Sequence, residues 1–314
     1  MSSPLFNINA IAPVKPLGGL NGTNLKAVPA AQGCTGAVQP MSSEEFSDFR
    51  DFIYKQSGIY FVESKKYLLE GRIQKRLAAN YLSTYREYLR LIKSASGKPE
   101  IISLIDSITV NETYFFRAEQ HYEALVQEVI PNILKSRNGL LSQTINIWSA
   151  ASSTGEEPYT LAMLLHDKLL TRYPNIRFNI VGSDISNSCL ETARRGIYKD
   201  YSLKITPDYY IKKYFKVIEG NYHLNDSIKK MVKFVSINLY DDATMKTMRY
   251  SDVIICANVL IYFDNNSKEK VVANLYDLLN KGGYLFIGNS ESLHGVTKAF
   301  RLVHFHKAMA YYKE

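Results

Sequence analysis

The sequence has little cysteine and no long apolar run. Three cysteines, Cys34, Cys189 and Cys256, lie far apart in 314 residues, which indicates a reducing compartment and not a disulfide scaffold. The longest nearly unbroken apolar run, 253–263, is well short of the roughly 20 residues that a membrane helix needs. The N-terminus has no basic patch followed by an apolar core, so we expect no signal peptide. We therefore expect a cytoplasmic protein without membrane insertion.

Several chemistries lack their usual signature in this sequence. There is no G-x-G-x-x-G for a dinucleotide, no G-x-x-x-x-G-K-[ST] for a nucleoside triphosphate and no G-x-S-x-G nucleophile elbow. The six histidines and three cysteines show no metal-ligand spacing. His304 and His306 would share one strand face, but no cysteine or carboxylate lies near them in the sequence. We expect no metal site.

Charge is the next constraint. The formal net charge is +8 and the sequence pI is about 9.1, which favours an anionic partner such as nucleic acid, an acidic protein surface or a phosphorylated ligand. A solvated basic surface is the alternative, and the sign alone does not decide between them. The length suggests about two domains at roughly 150 residues each. No feature of the sequence requires more than a monomer.

The chain divides into segments that differ in composition and in the spacing of apolar residues. Residues 1–41 are rich in proline and glycine and are predicted to form a disordered tail. Residues 42–108 predict an N-terminal helical domain, because apolar residues recur at helical spacing in four runs. Residues 109–143 predict a linker and a first helix. Residues 144–314 alternate apolar strands with helices, which indicates a parallel sheet covered on both faces.

The predicted fold class is therefore α/β, with a Rossmann-like sheet and an N-terminal helical domain. Residues 197–231 interrupt the alternation with many tyrosines and are too long for a crossover loop, so we expect an inserted antiparallel β-subdomain there. Residues 300–305 and 308–312 predict a hairpin at the antiparallel edge of the main sheet.

Ligands of such sheets bind outside the carboxyl ends of the strands. The run 148–158 follows the first strand, and its small residues allow a ligand to approach the backbone. Asp184 ends the second strand, where an ionised carboxylate suits two ribose hydroxyls. Glu156 and Glu157 at a helix start would repel a phosphate. A nucleoside ligand that carries positive charge, such as S-adenosylmethionine, fits this combination.

Four segments together closely resemble the CheR family of chemotaxis receptor methyltransferases. They are Thr109–Arg117, the run 148–159, Asp184–Ser186 followed by Ala193–Tyr198, and Cys256–Asp264. The resemblance covers residues 42–314 in order and spacing. It implies a protein-glutamate O-methyltransferase that uses S-adenosylmethionine, releases S-adenosylhomocysteine and acts on the cytoplasmic helices of chemoreceptors.

The resemblance also implies roles for particular residues. Arg117 and Tyr262 would be catalytic, with Arg117 beside the methionine carboxylate or the acceptor glutamate and Tyr262 orienting the acceptor. Glu156 would meet the methionine ammonium, and Asp184 the ribose. The full set of implied cofactor-binding residues is Asn111, Thr113, Arg117, Ala150, Glu156, Asp184, Asn238, Leu239, Ala257 and Asn258.

The second predicted helix carries Arg72, Lys75 and Arg76 at i, i+3 and i+4, on one face. We expect this face to dock an acidic receptor helix; a solvated face is the alternative.

At two places the sequence departs from the family. Ala257 stands where members usually carry arginine, and the loop after Tyr214 and Phe215 is short, which is typical of members that need no receptor tether.

Two other functions stay open at this point. One is a non-catalytic scaffold that binds S-adenosylmethionine, in which Ala257 has cost turnover. The other is a nucleic-acid methyltransferase, although the basic residues are spread out and no motif for base chemistry is present.

A glutamate acceptor, ionised at neutral pH with a reference pKa of about 4.3, needs no general base.

Overall fold

The computed structural model describes residues 39–137 and 143–314. Residues 1–38 of the predicted tail, with Cys34, lie outside the described residues. Among the described helices, none is both long enough and apolar enough to span a bilayer.

Four helices form the N-terminal part of the chain: α1 Ser43–Ser57, α2 Lys66–Ala79, α3 Tyr85–Lys93 and α4 Lys98–Ile108. Both α1 and α3 start with a capping box, in which Ser42 pairs with Glu45 and Thr84 with Glu87. Each box satisfies orphan N–H groups reciprocally, so these two helix starts follow directly from the local sequence.

The apolar faces of the four helices enclose a core of their own. Phe46, Phe49 and Ile53 of α1 are fully buried against the other helices. In α2 the buried residues are Leu69, Ile73 and Leu77, at helical spacing. Two other large apolar residues of α2, Tyr67 and Leu68, are 68% and 39% exposed.

The rest of the chain alternates strands with helices. The strands are β1 Gln143–Ala150, β2 Ile176–Asp184, β3 Ile197–Tyr198, β4 Phe215–Ile218, β5 Asn221–Leu224, β6 Val232–Ser236, β7 Ser251–Cys256, β8 Leu279–Ile287, β9 Arg301–His304 and β10 Met309–Tyr312. The helices are α5 Glu119–Ala124, α6 Ile130–Ser136, α7 Glu156–Leu164, α8 Asn187–Arg195, α9 Asp200–Leu203, α10 Asp208–Tyr214, α11 Asp226–Lys229, α12 Asp242–Met245 and α13 Asn265–Leu278. Single π turns, Leu125–Val129 and Leu165–Leu169, follow α5 and α7.

The main sheet has the strand order β6-β2-β1-β7-β8-β10-β9. The five strands from β6 to β8 pair in parallel, whereas β10 is antiparallel to both β8 and β9. The predicted α/β fold and its antiparallel edge hairpin are therefore confirmed. The order reverses at β1, which has β2 on one side and β7 on the other, and this reversal opens a crevice at the carboxyl ends of these strands.

A second, three-stranded sheet with the order β3-β5-β4 lies in the stretch between α8 and β6. Its β4–β5 connection is a two-residue turn, because Ile218 pairs with Asn221. Glu219 and Gly220 have φ of 49° and 74°, the left-handed backbone that a tight hairpin turn of this length requires.

The N-terminal helices contact the sheet part of the chain through the segment that follows α1. The N–H of Tyr60 donates to the carbonyl of Tyr262 at 3.0 Å, and Ile59 forms an isolated antiparallel bridge with Phe263. Gly58 caps α1 in the left-handed conformation, with φ of 73°. A Cβ at this position would lie 2.6 Å from Cδ2 of Tyr240.

We expect Gly58→Ala to destabilise the protein by about 2 kcal/mol or more, since it adds left-handed strain and a clash with Tyr240. Gly71→Ala is the matched control, because Gly71 lies within α2 and a Cβ there meets no atom within 4 Å. That control should stabilise the protein by up to about 1 kcal/mol. Thermal unfolding of both variants measures this, and equal melting temperatures would contradict the packing described here.

Candidate functional site

A deep cleft lies at the carboxyl ends of the parallel strands. It encloses about 1400 Å³, the open space at its mouth included. One wall consists of the loops that follow β1, β2, β6 and β7. The opposite wall comes from α2, from the segment after α1, and from residues 109–117, here called the linker segment. The cleft therefore exists only because the N-terminal helices cover the strand ends.

Asp184 fixes the floor of the cleft. It is 5% exposed, and its carboxylate accepts the N–H groups of Ser153 at 2.8 Å and of Ser186 at 2.9 Å. Burial raises the pKa of Asp184, and these backbone hydrogen bonds act against that rise. The carboxylate thus joins the loop after β1 to the loop after β2.

The loop after β1 has a strained backbone. Ala151 and Ser153 have φ of 57° and 49°, although neither is glycine. The N–H of Ser152 donates to the carbonyl of Ser183 at 2.7 Å, which turns the loop back over β2. Ser152 is one of the residues that line the cleft, and its buried hydroxyl has no hydrogen-bond partner among the described residues. A ligand with a polar group would satisfy this atom.

The linker segment is held from three directions. A guanidinium nitrogen of Arg72 donates to the carbonyl of Thr109 at 3.0 Å. The hydroxyl of Ser153 donates to the carbonyl of Asn111 at 3.0 Å, and that of Tyr201 to Glu112 at 2.9 Å. These bonds come from the N-terminal helices, the loop after β1 and α9, so three parts of the chain fix one segment over the cleft.

Arg117 ends the linker segment with its guanidinium in the cleft lining. It donates to the carbonyl of Glu112 at 2.6 Å and lies 5.6 Å from the ring centroid of Tyr114. Its charge also acts on Tyr262. Burial raises the pKa of the Tyr262 hydroxyl, the Arg117 charge opposes the rise, and the hydroxyl stays protonated at neutral pH.

The two adjacent glutamates at the start of α7 point in different directions. Glu156 is 1% exposed, lies outside the cleft lining, and accepts hydrogen bonds from Thr154 at 2.6 Å and Ser202 at 2.9 Å. Glu157 lines the cleft and accepts the hydroxyl of Ser149 at 2.7 Å. The side chain that can meet a cationic ligand is therefore that of Glu157.

Glu157 has a perturbed acidity. Burial raises the pKa of Glu157 to about 7, and the negative charge of Glu291 adds to the rise. The hydroxyl of Ser149 and the charge of Arg117 act in the opposite direction. A carboxyl group with this pKa in a cleft is typical of a functional site.

The loop after β7 supplies another part of the lining, from Ala257 to Phe263. Asn258 has a left-handed φ of 62°. The carboxylate of Glu291 accepts the N–H groups of Asn258, Ile261 and Gly288, at 2.9, 3.2 and 2.7 Å. Glu291 is not among the residues that the sequence motifs predict for the site. The available signal was the polar run 288–291 directly after the fifth parallel strand, β8.

Most of the residues singled out from the sequence meet in this cleft. Those in its lining are Arg72, Asn111, Thr113, Arg117, Asp184, Asn238, Leu239, Ala257, Asn258 and Tyr262. Ala150 is buried within β1, beneath the loop, and Glu156 is directed elsewhere. The side chain of Asn238 is already engaged, since it donates to the carbonyl of Gln56 at 2.7 Å and accepts the N–H of Tyr240 at 3.0 Å.

The three basic residues of α2 do not share one environment. Arg76 forms two hydrogen bonds with Glu100, at 2.8 and 2.7 Å, within the N-terminal helices. Arg72 is bound to the carbonyls of Ser107 and Thr109 and lines the cleft. Lys75 is the exposed member of this set.

The lining combines features that suit one type of ligand. Two carboxylates, Asp184 and Glu157, lie in a cleft whose floor also presents apolar Ile237 and Leu239. A nucleoside with a positively charged tail fits this combination, because its hydroxyls, its base and its cationic end each find a suitable partner. In the described residues, no group of three or more His, Cys, Asp or Glu could hold a metal ion. Fold and site together define a methyltransferase of the S-adenosylmethionine-binding class.

Comparison with known families identifies the chain more closely. Residues 111–309 match the CheR methyltransferase, SAM binding domain, and residues 44–109 match the CheR methyltransferase, all-alpha domain. The chain belongs to the CheR methyltransferase family.

Curated relatives agree with this assignment. The chain is 36% identical over 277 residues to chemotaxis protein methyltransferase 2 of Vibrio cholerae, covering 87% of this chain and 94% of that protein. It is 34% identical over 256 residues to the chemotaxis protein methyltransferase of Borreliella burgdorferi, covering 81% of this chain and 90% of that one. The similarity therefore extends through the N-terminal helices as well as the sheet.

The raised pKa of Glu157 predicts a stability effect. The Glu157 carboxyl holds its proton more tightly in the folded protein than in the unfolded chain, where its pKa is near 4.5. The free energy of unfolding therefore falls as pH rises from 4.5 through 7. Glu157→Gln removes that loss and should stabilise the protein at pH 8 by about 1–2 kcal/mol, after allowance for partial solvent exposure. Denaturant unfolding at pH 8 and pH 5 measures this. An equal gain at both pH values would show that the carboxyl group titrates normally.

Proposed function

We propose that this protein transfers methyl groups from S-adenosylmethionine to glutamate side chains of chemoreceptors and forms methyl esters. The observation that carries the proposal is Arg117, a guanidinium in the same cleft as the carboxylates Asp184 and Glu157. The carboxylates suit a cationic cofactor, and the guanidinium suits an anionic acceptor beside it. The names of the relatives, chemotaxis protein methyltransferases, support the same acceptor.

Asp184 would accept the ribose hydroxyls, and Glu157 would meet the methionine ammonium. We assign the ammonium contact to Glu157, and not to Glu156, because Glu157 lines the cleft. Asn238 and Leu239 would border the adenine, and hydrogen bonds of both the side chain and the backbone hold Asn238 in place. Asn111 and Thr113 would close the cleft from the linker segment, and Ala150 would support the loop from below.

The chemistry that S-adenosylmethionine supplies when bound is an electrophilic methyl group on a sulfonium. Arg117 would hold the acceptor carboxylate, and the protonated hydroxyl of Tyr262 would donate a hydrogen bond that fixes its orientation. The linker segment would exclude water from the cleft, which strengthens both contacts. Because a glutamate acceptor is already ionised at neutral pH, no residue is required to remove a proton.

The acceptor is proposed to approach along the exposed side of α2. Tyr67 and Leu68 are exposed there, Leu68 lines the cleft, and Lys75 adds an exposed positive charge. An amphipathic receptor helix that carries glutamates would match this mixture of apolar and basic groups. Location in the cytoplasm stays a prediction, and it follows from such a receptor surface.

The two-residue turn between β4 and β5 supports tether-independent action. It leaves no extended loop on the three-stranded sheet to hold a receptor's C-terminal peptide. We therefore propose that recognition depends on the methylated helix alone.

Incubation with a receptor cytoplasmic fragment and methyl-labelled S-adenosylmethionine should give label that base releases as methanol. Replacing the acceptor glutamates with alanine should abolish it, and removing the C-terminal residues of the receptor should change the rate less than about twofold. Base-stable label on nucleic acid would favour a nucleic-acid methyltransferase. Cofactor binding without transfer to any acceptor would favour a scaffold in which Ala257 has cost turnover.

Cofactor affinity should depend on pH through Glu157. The ionised form binds the ammonium, and with a pKa of about 7 its population rises roughly tenfold between pH 6 and pH 8. Calorimetric titration with S-adenosylhomocysteine should show binding about tenfold tighter at pH 8, and Glu157→Gln should flatten the dependence. Glu156→Gln is the matched control, because Glu156 lies outside the cleft lining, and it should keep the dependence. An unchanged slope in Glu157→Gln would assign the ammonium contact to another residue.

A further inference from the structure

The carboxylate of Glu291 does not line the cleft, but it binds a loop that does. It follows β8 and lies outside the set of lining residues. One of its oxygens accepts the N–H groups of Asn258 and Gly288, and the other accepts the N–H of Ile261. A single side chain thus joins the loop after β7 to the loop after β8.

The surroundings of Glu291 are built for this contact. A Cβ at position 288 would lie 2.8 Å from a carboxylate oxygen of Glu291 and 2.9 Å from the backbone nitrogen of Asn258, so only glycine permits the approach. Asn258 adopts left-handed backbone, which aims its N–H at the same oxygen. Three positions on two loops therefore have conformations that the Glu291 carboxylate stabilises.

The loop that Glu291 holds carries functional groups. Asn258 and Tyr262 line the cleft, and Ile261 lies between them. On its far side the same loop is held by the N–H of Tyr60, which donates to the carbonyl of Tyr262. Hydrogen bonds to an ionised acceptor are about twice as strong as neutral ones. The Glu291 carboxylate is therefore a strong attachment of this loop, in addition to the contacts that Ile59 and Tyr60 make with Phe263 and Tyr262.

We propose that Glu291 is a positioning residue: through three backbone N–H groups it fixes the loop 257–263, and with it Asn258 and Tyr262, in the geometry that methyl transfer requires. The part of this inference that concerns transfer rests on the proposed function. The part that concerns the loop stands on the hydrogen bonds alone.

The test compares Glu291→Gln with a matched control, Asp252→Asn. Glutamine keeps the shape of the side chain, but one oxygen becomes an NH2 group that faces an N–H donor. Asp252 is also a buried carboxylate that accepts a backbone N–H, that of Asn146 at 2.9 Å, and it pairs in addition with Arg137 and Asn280. It lies at the opposite end of β7, away from the cleft. Both variants lose a carboxylate that joins segments, but only Glu291→Gln alters the cleft wall.

In Glu291→Gln we expect kcat on a receptor fragment to fall about tenfold or more, because small misplacements of positioning groups cost rates of this order. Hydrogen exchange at Asn258 and Ile261 should become faster. Asp252→Asn should keep kcat within about twofold and leave those amides unchanged, even where it lowers the melting temperature. Glu291→Asp retains the charge at shorter reach and should have an intermediate kcat.

Three results would overturn the inference: kcat of Glu291→Gln equal to wild type, a fall in kcat without faster exchange in the loop, or an equal fall in Asp252→Asn. A wild-type protein that forms no ester would instead sink the proposed function. In that case hydrogen exchange and S-adenosylhomocysteine affinity test the role of Glu291. If both are the same in Glu291→Gln as in the wild type, Glu291 does not position the loop. If Glu291→Gln does not fold, Glu291→Asp carries the same comparison.

Discussion

The hydrogen bonds of the Asp184 carboxylate hold the centre of this molecule together. The carboxylate joins the loops after β1 and β2, and the carbonyl of the same residue accepts the N–H of Ile237, the first residue after β6. Asp184 therefore fixes the relative positions of three of the loops that form the cleft. Parallel strands bring such loops to one edge of the sheet, and a buried carboxylate that accepts two N–H groups then fixes their spacing.

A cleft built from strand-end loops alone would be an open crevice. The N-terminal helices and α9 close it by binding the linker segment through Arg72 and Tyr201. Of the six described non-glycine residues with left-handed backbone, four lie in this region, namely Phe116, Ala151, Ser153 and Asn258. The other two are Tyr81, which follows α2, and Glu219 in the turn between β4 and β5. Backbone strain is thus concentrated where loops from distant parts of the chain must meet, which is where a surrounding hydrogen-bond network can maintain it.

The sequence predicted features that depend on local pattern. Strand positions and Asp184 followed from apolar runs and from the rule that ligands bind at strand ends. The sequence pattern assigned the ammonium contact to Glu156, whereas Glu157 lines the cleft, because adjacent helix positions differ by about 100° in direction and only tertiary packing shows which faces the cleft. It grouped Arg76 with Arg72 because Glu100, the partner of Arg76, is 24 residues away in the chain. Local pattern did not predict Glu291 for the same reason, since its partners Asn258 and Ile261 are about 30 positions away in the chain.

The balance of charge in the cleft has a consequence for turnover. On the proposed function, the cleft holds a cationic cofactor beside an anionic acceptor, and methyl transfer converts a sulfonium to a thioether and a carboxylate to an ester. The guanidinium of Arg117 then faces a neutral ester, so its contact with the product is weaker than with the substrate. Glu157 would keep its ammonium partner and so retain the spent cofactor. On the proposed function, the charges of the cleft would therefore favour release of the methylated protein before release of S-adenosylhomocysteine.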